Sequence, residues 1–475
     1  MNKRVIKIGG SNLKSKADIG KIIDVIRYYN QPLVIVVSAW YGITDRLQET
    51  MARAAGDRTV ISDLSTYLTT LKHEIIHQYI DLPNERERAV NKINVRVDEL
   101  AKYLKGVHYL GEAPDFTEDM VLSFGERLSA LLLESILTSA GIACEKVTPE
   151  EMGLITDGRF GNARVDFERA QPLVRARLNN DVINIVPGFY GVSRDDGRVT
   201  LLGRGGSDYT AAAIARCIDA PSLDTWKDVS GFLSADPKII GEPRVIEHLT
   251  YREAAELAYF GATILHPMTV EPLIDANIPV RIFNINDVRG MHGSHSIIHN
   301  NEPHESGEVK SVTYTDDVAL LKISGPGIGI NPGIIGKITH KFDEDEINIK
   351  SIFTSQTSIN FLVSRENLQN SEKLILSLGL PSIQKITALD DISLVALVGE
   401  GIAEHPEITN QVLRAFINRN INLQLVSIGA SSAAAYFIVS AAECFRAVSA
   451  IHDDIFSEAV PINENFTIGL LTHQI

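Results

Sequence analysis

Two short apolar runs bracket an amphipathic helical pattern near the amino terminus, and that arrangement restricts the start of the chain to very few folds. Val5-Ile6-Lys7-Ile8 and Leu33 to Val37 read as buried strands, and Ile19, Ile22, Ile23, Ile26 and Tyr29 recur between them at helical spacing. Such a strand–helix–strand unit makes the two strands parallel neighbours. The alternation continues through the first three hundred residues, with strands at Val182 to Val186 and Leu223 to Trp226 and a helix from Asp208 to Ile218 between them. A longer helix is expected from Thr117, an N-cap with Glu118 and Asp119 in the first turn, to Gly141 at its end. The expected class is α/β, with a mostly parallel sheet.

The pattern changes after residues His292 to Val309, which are rich in His, Asn, Gly, Ser and Glu and read as a linker. Val318 to Ile323 and Asn360 to Val363 then flank a helix around Ile334 to Phe342. The arrangement returns as Leu394 to Val398, a helix around Thr409 to Asn418, and Ala435 to Val439. The second part therefore holds two weakly similar βαβ-containing units, each shorter than about 100 residues. A chain of 475 residues needs more than one core in any case. Its formal charge of −15 disfavours a sequence-independent nucleic-acid surface, which requires concentrated basic side chains. Apolar runs such as Leu33 to Ala39 are far below the roughly 20 residues that span a bilayer, so no membrane partner is expected. The early strand leaves no room for a secretion segment, making a cytoplasmic location the expectation. Cys144, Cys217 and Cys444 lack metal-ligand spacing and read as reduced core residues.

Three segments carry chemistry. Lys7-Ile8-Gly9-Gly10-Ser11 puts a cation at a strand end and two glycines in the following turn, where backbone N–H groups can approach a phosphate; the order is not that of a Walker A loop. Leu202-Gly203-Arg204-Gly205-Gly206-Ser207-Asp208 sets an arginine among glycines just before a helix start, a place that favours anions, with Asp208 able either to cap the helix or to orient Lys7. Gly125 and Glu126 lie inside an apolar helix, where glycine costs about 1 kcal/mol relative to alanine, so packing or a ligand must offset it. Glu126 can receive an ammonium group or simply pair on the surface with Arg127. Trp226-Lys227-Asp228 follows a strand, a common place for nucleotides in α/β proteins.

In this order the segments resemble the aspartate kinases of the amino-acid kinase family. The likeness rests on Lys7 to Ser11, Val37-Ser38-Ala39 with Gly42-Ile43-Thr44, Ser123 to Ser129, Leu202 to Tyr209, Trp226 to Pro237, and Phe260-Gly261-Ala262 with Leu265-His266-Pro267. Ile402 to Thr409 and Ile421 to Ser432 are similar to ACT domains. The resemblance implies a three-layer αβα kinase domain over 1–300 and two α+β ACT-like domains over 316–390 and 391–475. It implies transfer of the ATP γ-phosphate to the side-chain carboxylate of L-aspartate, assisted by Mg²⁺, as a first step toward lysine, threonine and methionine. By the same likeness Lys7 and Asp208 are catalytic, and Thr44, Glu126, Arg204, Gly205, Gly206 and Ser207 hold aspartate. ATP is placed near Lys7, Gly9, Gly10, Ser11, Lys227, Asp228, Leu233, Lys238, Thr263 and Ile264, with no metal ligand assigned to the protein.

Several positions depart from the family pattern: Ser11-Asn12 replaces Thr-Ser, Lys227 a threonine, Leu233 a tyrosine, Lys238 an arginine and Thr263 a lysine. They fall on the nucleotide side, while Thr44, Glu126 and Arg204 are kept. The resemblance also implies a homodimer, with a tetramer as the alternative, and an amino-acid effector site around Asn331 to Ile334 and Ile349 to Gln356; because the chain stops after the second ACT-like unit, no fused homoserine dehydrogenase domain is expected. There Lys350 and Gln356 stand where lysine-inhibited members carry acidic side chains, unless the run Asp343 to Glu346 supplies the carboxylate, so lysine is expected to inhibit poorly. Two alternatives are a family member acting on glutamate, N-acetylglutamate, carbamate or UMP, and a non-catalytic effector-binding protein.

Overall fold

The computed structural model describes residues 3–259, 264–265, 267–287, 295–299 and 307–456. The chain divides into one compact unit of residues 1–234 and 243–305 and a second of residues 235–242 and 306–475.

The first unit is built on an eight-stranded sheet in the order Cys144–Lys146, Ile183–Pro187, Leu33–Val37, Arg4–Ile8, Leu223–Lys227, Val280–Asn284, Ser296–Ile298, His248–Leu249. Every pairing is parallel except that of Val280–Asn284 with Ser296–Ile298. Arg4–Ile8 and Leu33–Val37 run in register from Arg4 opposite Leu33 to Ile8 opposite Val37. Alternation then sends Ile6, Ile8, Ile35 and Val37 into a large core with the helices Asp18–Tyr29 and Asp115–Ser139. Val5, Lys7, Val34 and Val36 are equally buried on the opposite face, where the helix Gly206–Cys217 packs. Burial on both faces explains why these strands read as continuous apolar runs. The catalytic candidate Lys7 is the one charged member of that otherwise apolar row.

The long helix begins at Asp115 with Pro114 at the N-cap, so Thr117 lies buried inside the first turn and is not the cap. Asp119 is buried there too, accepting hydrogen bonds from the amides of Gly161 and Leu201; burial pushes its carboxyl up to about 6. Three helices between the second strand and this one, Ile43–Ala54, Thr59–Tyr79 and Pro83–Leu110, were not anticipated from sequence. The short strand Ser296–Ile298 falls in the stretch read as a linker, whose polar composition conceals it; residues 292–294 and 300–306 of that stretch lie outside the described residues.

The second unit contains two four-stranded sheets, one ordered Ile349–Thr354, Ser358–Val363, Ala319–Ser324, Lys385–Leu389 and the other Ser311–Thr315, Ile392–Val398, Ala434–Ser440, Leu425–Ser427. All their pairings are antiparallel, and the strands read as flanking each helix are direct antiparallel neighbours, Ala319–Ser324 with Ser358–Val363 and Ile392–Val398 with Ala434–Ser440, not the parallel pair of a simple βαβ unit. Helices Ile334–Glu344 and Leu368–Ser377 cover the first sheet, and Pro406–Asn418 and Cys444–Phe456 the second. The second sheet draws its edge strand from Ser311–Thr315, ahead of the first sheet in the chain, so the first fold is inserted into the second. Such pairing across about 80 residues is invisible to local patterning.

Candidate active site

The cavity that gathers the candidate residues lies at the carboxyl edge of the parallel sheet, where α/β proteins bind ligands. It has a volume of about 300 Å³, and its walls include Lys7, Gly10, Ser11, Thr44, Glu126, Ser207 and Asp208. Lys7 is the next-to-last residue of the first strand and Asp208 sits in the first turn of the helix Gly206–Cys217, with Nζ 2.8 Å from Oδ1. Both are largely buried. The N-cap of that helix is Gly205, in the left-handed region at φ 73°, so Asp208 is an ion-pair partner and not a cap.

The glycines have steric reasons. A Cβ on Gly10 would stand 3.1 Å from the Ala39 carbonyl oxygen, and one on Gly125 only 2.7 Å from the Ala39 Cβ. Gly125 therefore serves the close packing of the long helix on the Ala39 turn, which sets Glu126 against the cavity. Asn12, where the family has serine, donates from Nδ2 to the carbonyl of Trp226 at 2.7 Å and ties the glycine turn to the neighbouring strand end.

Glu126 is 3% exposed and accepts a hydrogen bond from the Ser207 hydroxyl at 3.2 Å on Oε1. Among the described residues nothing hydrogen-bonds its buried Oε2. Burial pushes the carboxyl up to about 8, against the opposing pull of the Ala39 backbone, the Ser207 hydroxyl and the Lys7 charge. A buried acceptor left open beside a cavity is suited to a ligand cation. The surface pairing with Arg127 does not occur; Arg127 turns instead to Glu150 and the Ser123 hydroxyl.

Sequence reasoning missed Trp40, Tyr41, Asp45 and Phe189, which also line the cavity. Trp40 and Tyr41 follow directly on a parallel strand, which was the available signal. Phe189 adopts φ 78°, a costly conformation for a bulky residue, pinned by its amide donating to Thr210 Oγ1 and its carbonyl accepting from Leu202. Arg204 is exposed on its loop and is not part of the wall. Gly9 adjoins Lys7 Nζ without lining the cavity. On the nucleotide side, Lys227 ends its strand near Lys7 and Asp208, Asp228 is exposed and paired with Lys14 at 3.4 Å, and Leu233 bridges to Val245. Lys238 is exposed and belongs to the second unit, Ile264 is in a half-buried turn, and Thr263 is outside the described residues.

Residues 2–284 match the amino acid kinase family and residues 395–455 the ACT domain. The chain is 30% identical over 464 residues to chloroplastic aspartokinase 1 of Arabidopsis thaliana, covering 95% of this chain and 80% of that protein. It is 27% identical over 481 residues to the bifunctional aspartokinase/homoserine dehydrogenase of Buchnera aphidicola, covering 98% of this chain and 58% of that protein. The fold matches E. coli aspartokinase III in complex with aspartate and ADP at a TM-score of 0.80 with 24% identity, over 96% of this chain and all of that one. The same E. coli protein in complex with lysine and aspartate matches at 0.77 with 23% identity, over 96% of this chain and 99% of that one. The chain belongs to the amino acid kinase family and, within it, to the aspartokinases.

The state of Glu126 predicts a pH dependence of substrate binding. The carboxyl must be ionised to hold an ammonium group, and in the free site it is protonated below about 8. The KM for aspartate should therefore fall as pH rises from 6 to 8, by up to about tenfold per unit, and then level off. Glu126→Gln should flatten that slope and weaken aspartate much more than ATP. A pH-independent KM in the wild type, or a variant that loses ATP affinity alone, would show the roles to be wrongly drawn.

Proposed function

We propose that this site transfers the γ-phosphate of ATP to the side-chain carboxylate of L-aspartate, giving 4-phospho-L-aspartate. The observation that carries the reading is the buried Lys7–Asp208 pair beside the open Glu126 carboxylate, a cation for phosphate and an anion for ammonium in one cavity. Membership of the aspartokinases supports it, and so does the aspartate and ADP bound by the E. coli protein of like fold.

Aspartate enters with its ammonium on Glu126 and its backbone carboxylate toward the helix start at Gly206 and Ser207, where unpaired amides favour an anion. Arg204, on the exposed loop, closes over that carboxylate. Thr44 borders the same pocket. The reacting carboxylate is already ionised at neutral pH, so no general base is required. Catalysis then consists of aligning two anions and offsetting their charge. Lys7 does this at the phosphoryl group, with Asp208 holding its ammonium in place. Gly9, Gly10 and Ser11 offer backbone and hydroxyl donors to the phosphates; Lys227, Asp228, Leu233 and Ile264 are the nucleotide side within the first unit, and Lys238 and Thr263 are assigned to it by resemblance alone.

No cluster of three or more His, Cys, Asp or Glu able to hold a metal occurs among the described residues. Mg²⁺ would be held chiefly by the ATP phosphates, as is common for an ion that gives up its water reluctantly. Bound there, it supplies charge neutralisation at the phosphates. We place the enzyme in the cytoplasm; no helix among the described residues is long and apolar enough to cross a membrane. A homodimer is supported by the half-exposed Val426 and Ile352 on the edge strands Leu425–Ser427 and Ile349–Thr354, which leave room for pairing with a second copy.

Lys7→Ala tests the chemistry. The variant should keep the far-UV circular dichroism of the wild type while kcat drops about 100- to 1,000-fold, as for loss of one electrostatic stabiliser. Near-normal turnover would refute the assignment.

The first antiparallel sheet carries a cavity of about 560 Å³ walled by Ile328, Gly329, Asn331, Pro332, Gly333, Thr354, Ser355 and Gln356 among others. We assign the effector to it. Lys350, expected in this wall, is turned away to the carbonyl and carboxylate of Asp317 at 2.6 and 3.0 Å. The run Asp343 to Glu346 is exposed at the far end of its helix and is also outside the wall. Among the described residues no ionisable side chain lines the cavity, so a cationic side chain would lose hydration without a counter-charge. Lysine should inhibit poorly and a neutral amino acid such as threonine better. Activity at saturating substrates with lysine, threonine or methionine added singly decides this, and strong inhibition by micromolar lysine alone would contradict it.

A further inference from the structure

We propose that Lys227 is a second phosphoryl-facing cation of the kinase site, supplying the positive charge that Asp208 already offsets in Lys7. The inference rests on the phosphoryl transfer proposed above.

Sheet register carries it. The first strand pairs in parallel with Leu223–Lys227, Lys7 opposite Thr225 and Ile8 opposite Trp226. Side chains alternate along a strand, so Lys227, two residues past Thr225, projects to the same face as Lys7. That is the face covered by the helix Gly206–Cys217, whose first turn presents Asp208. Two lysines from neighbouring strand ends thus converge on one aspartate. The Lys227 backbone is held on its other side, level with Asn284, and its carbonyl accepts from the Ile285 amide at 2.8 Å.

The charges around Lys227 leave it available. Lys7 spends its charge on Asp208 at 2.8 Å. Asp228, next in the chain, is exposed and engaged with Lys14. Strand Val280–Asn284 brings the neutral Asn284 to this end, and its Arg281 is committed to Asp224. Burial lowers the Lys227 amine below the ordinary lysine value; Asp208 and Asp228 oppose the shift and Lys7 adds to it. Lys227 thus adds a second cation beside the Lys7–Asp208 pair, on the face where a phosphate would enter.

In the transfer, a carboxylate oxygen of aspartate forms the new P–O bond as the bond from the γ-phosphorus to its bridging oxygen breaks. The electron pair leaves on ADP. No proton is gained or lost in the exchange; Lys227 only donates hydrogen bonds to oxygens that gain charge on the way. Its effect is therefore exerted in the transition state and not only on ATP affinity.

The test compares Lys227→Met and Lys227→Arg with the wild type, measuring kcat, both KM values, ADP binding by calorimetry and the pH profile of kcat. Lys227→Met should lower kcat about 100-fold at saturating ATP, keep the KM for aspartate, still bind ADP and keep the thermal midpoint. Lys227→Arg should restore most of kcat and move the alkaline limb of the profile upward, because a guanidinium stays protonated. Wild-type kcat in Lys227→Met, or a loss confined to the KM for ATP, would overturn the proposal while leaving the kinase reading intact. A wild-type chain with no aspartate-dependent turnover would overturn both.

Discussion

The buried ion pair of Lys7 and Asp208 is the contact on which the site depends. It joins the end of a central strand to the start of the helix packed on that strand, so the position of one element sets the chemistry of the other. Burying two charges costs several kcal/mol per ion before their attraction is counted, and an apolar pair would pack there as well. Val5, Val34 and Val36 show that the surrounding row is otherwise apolar. Stability thus gives no reason for charge at this place, whereas the proposed phosphoryl transfer does. Asp208 holds the Lys7 ammonium at 2.8 Å, and both side chains face the same cavity.

Around that pair the chain uses missing side chains to bring backbones together. Gly125 admits the Ala39 turn, Gly206 admits Phe189, and Gly188 admits Ser207, each at distances that a Cβ would not tolerate. These approaches bring the long helix, the turn after the second strand and the start of the helix Gly206–Cys217 to one point. Phe189 holds an unfavourable backbone there. Preorganisation of this kind lets charged groups act without rearranging at the moment of reaction.

The parallel sheet was legible because its strands are buried on both faces: Leu33–Val37 was located from its apolar run with no error in its ends. Helix Asp18–Tyr29 was legible from a strong apolar period. What sequence could not give were relations between distant residues. Gly125 could be read as a ligand or a packing position, and only its approach to Ala39, more than 80 residues away, decides for packing. Lys350 was placed in the effector wall from its position in the chain, but a partner at Asp317 draws it out. The insertion of one antiparallel sheet into the other depends on Ser311–Thr315 pairing with Ile392–Val398, which leaves no local mark. Lys7, Asp208, Thr44, Glu126 and Ser207 were each named from short motifs and meet in one cavity; Arg204 was named the same way and lies outside its wall.

The central claim is that the cavity joins ATP to an aspartate carboxylate. The most direct test incubates the purified chain with MgATP and one acceptor at a time, aspartate, glutamate, N-acetylglutamate, carbamate or UMP, and measures ADP release together with acyl phosphate trapped by hydroxylamine. The account predicts hydroxamate with aspartate alone, formed in step with ADP. ADP release with another acceptor, or release without any trapped acyl phosphate, would contradict it.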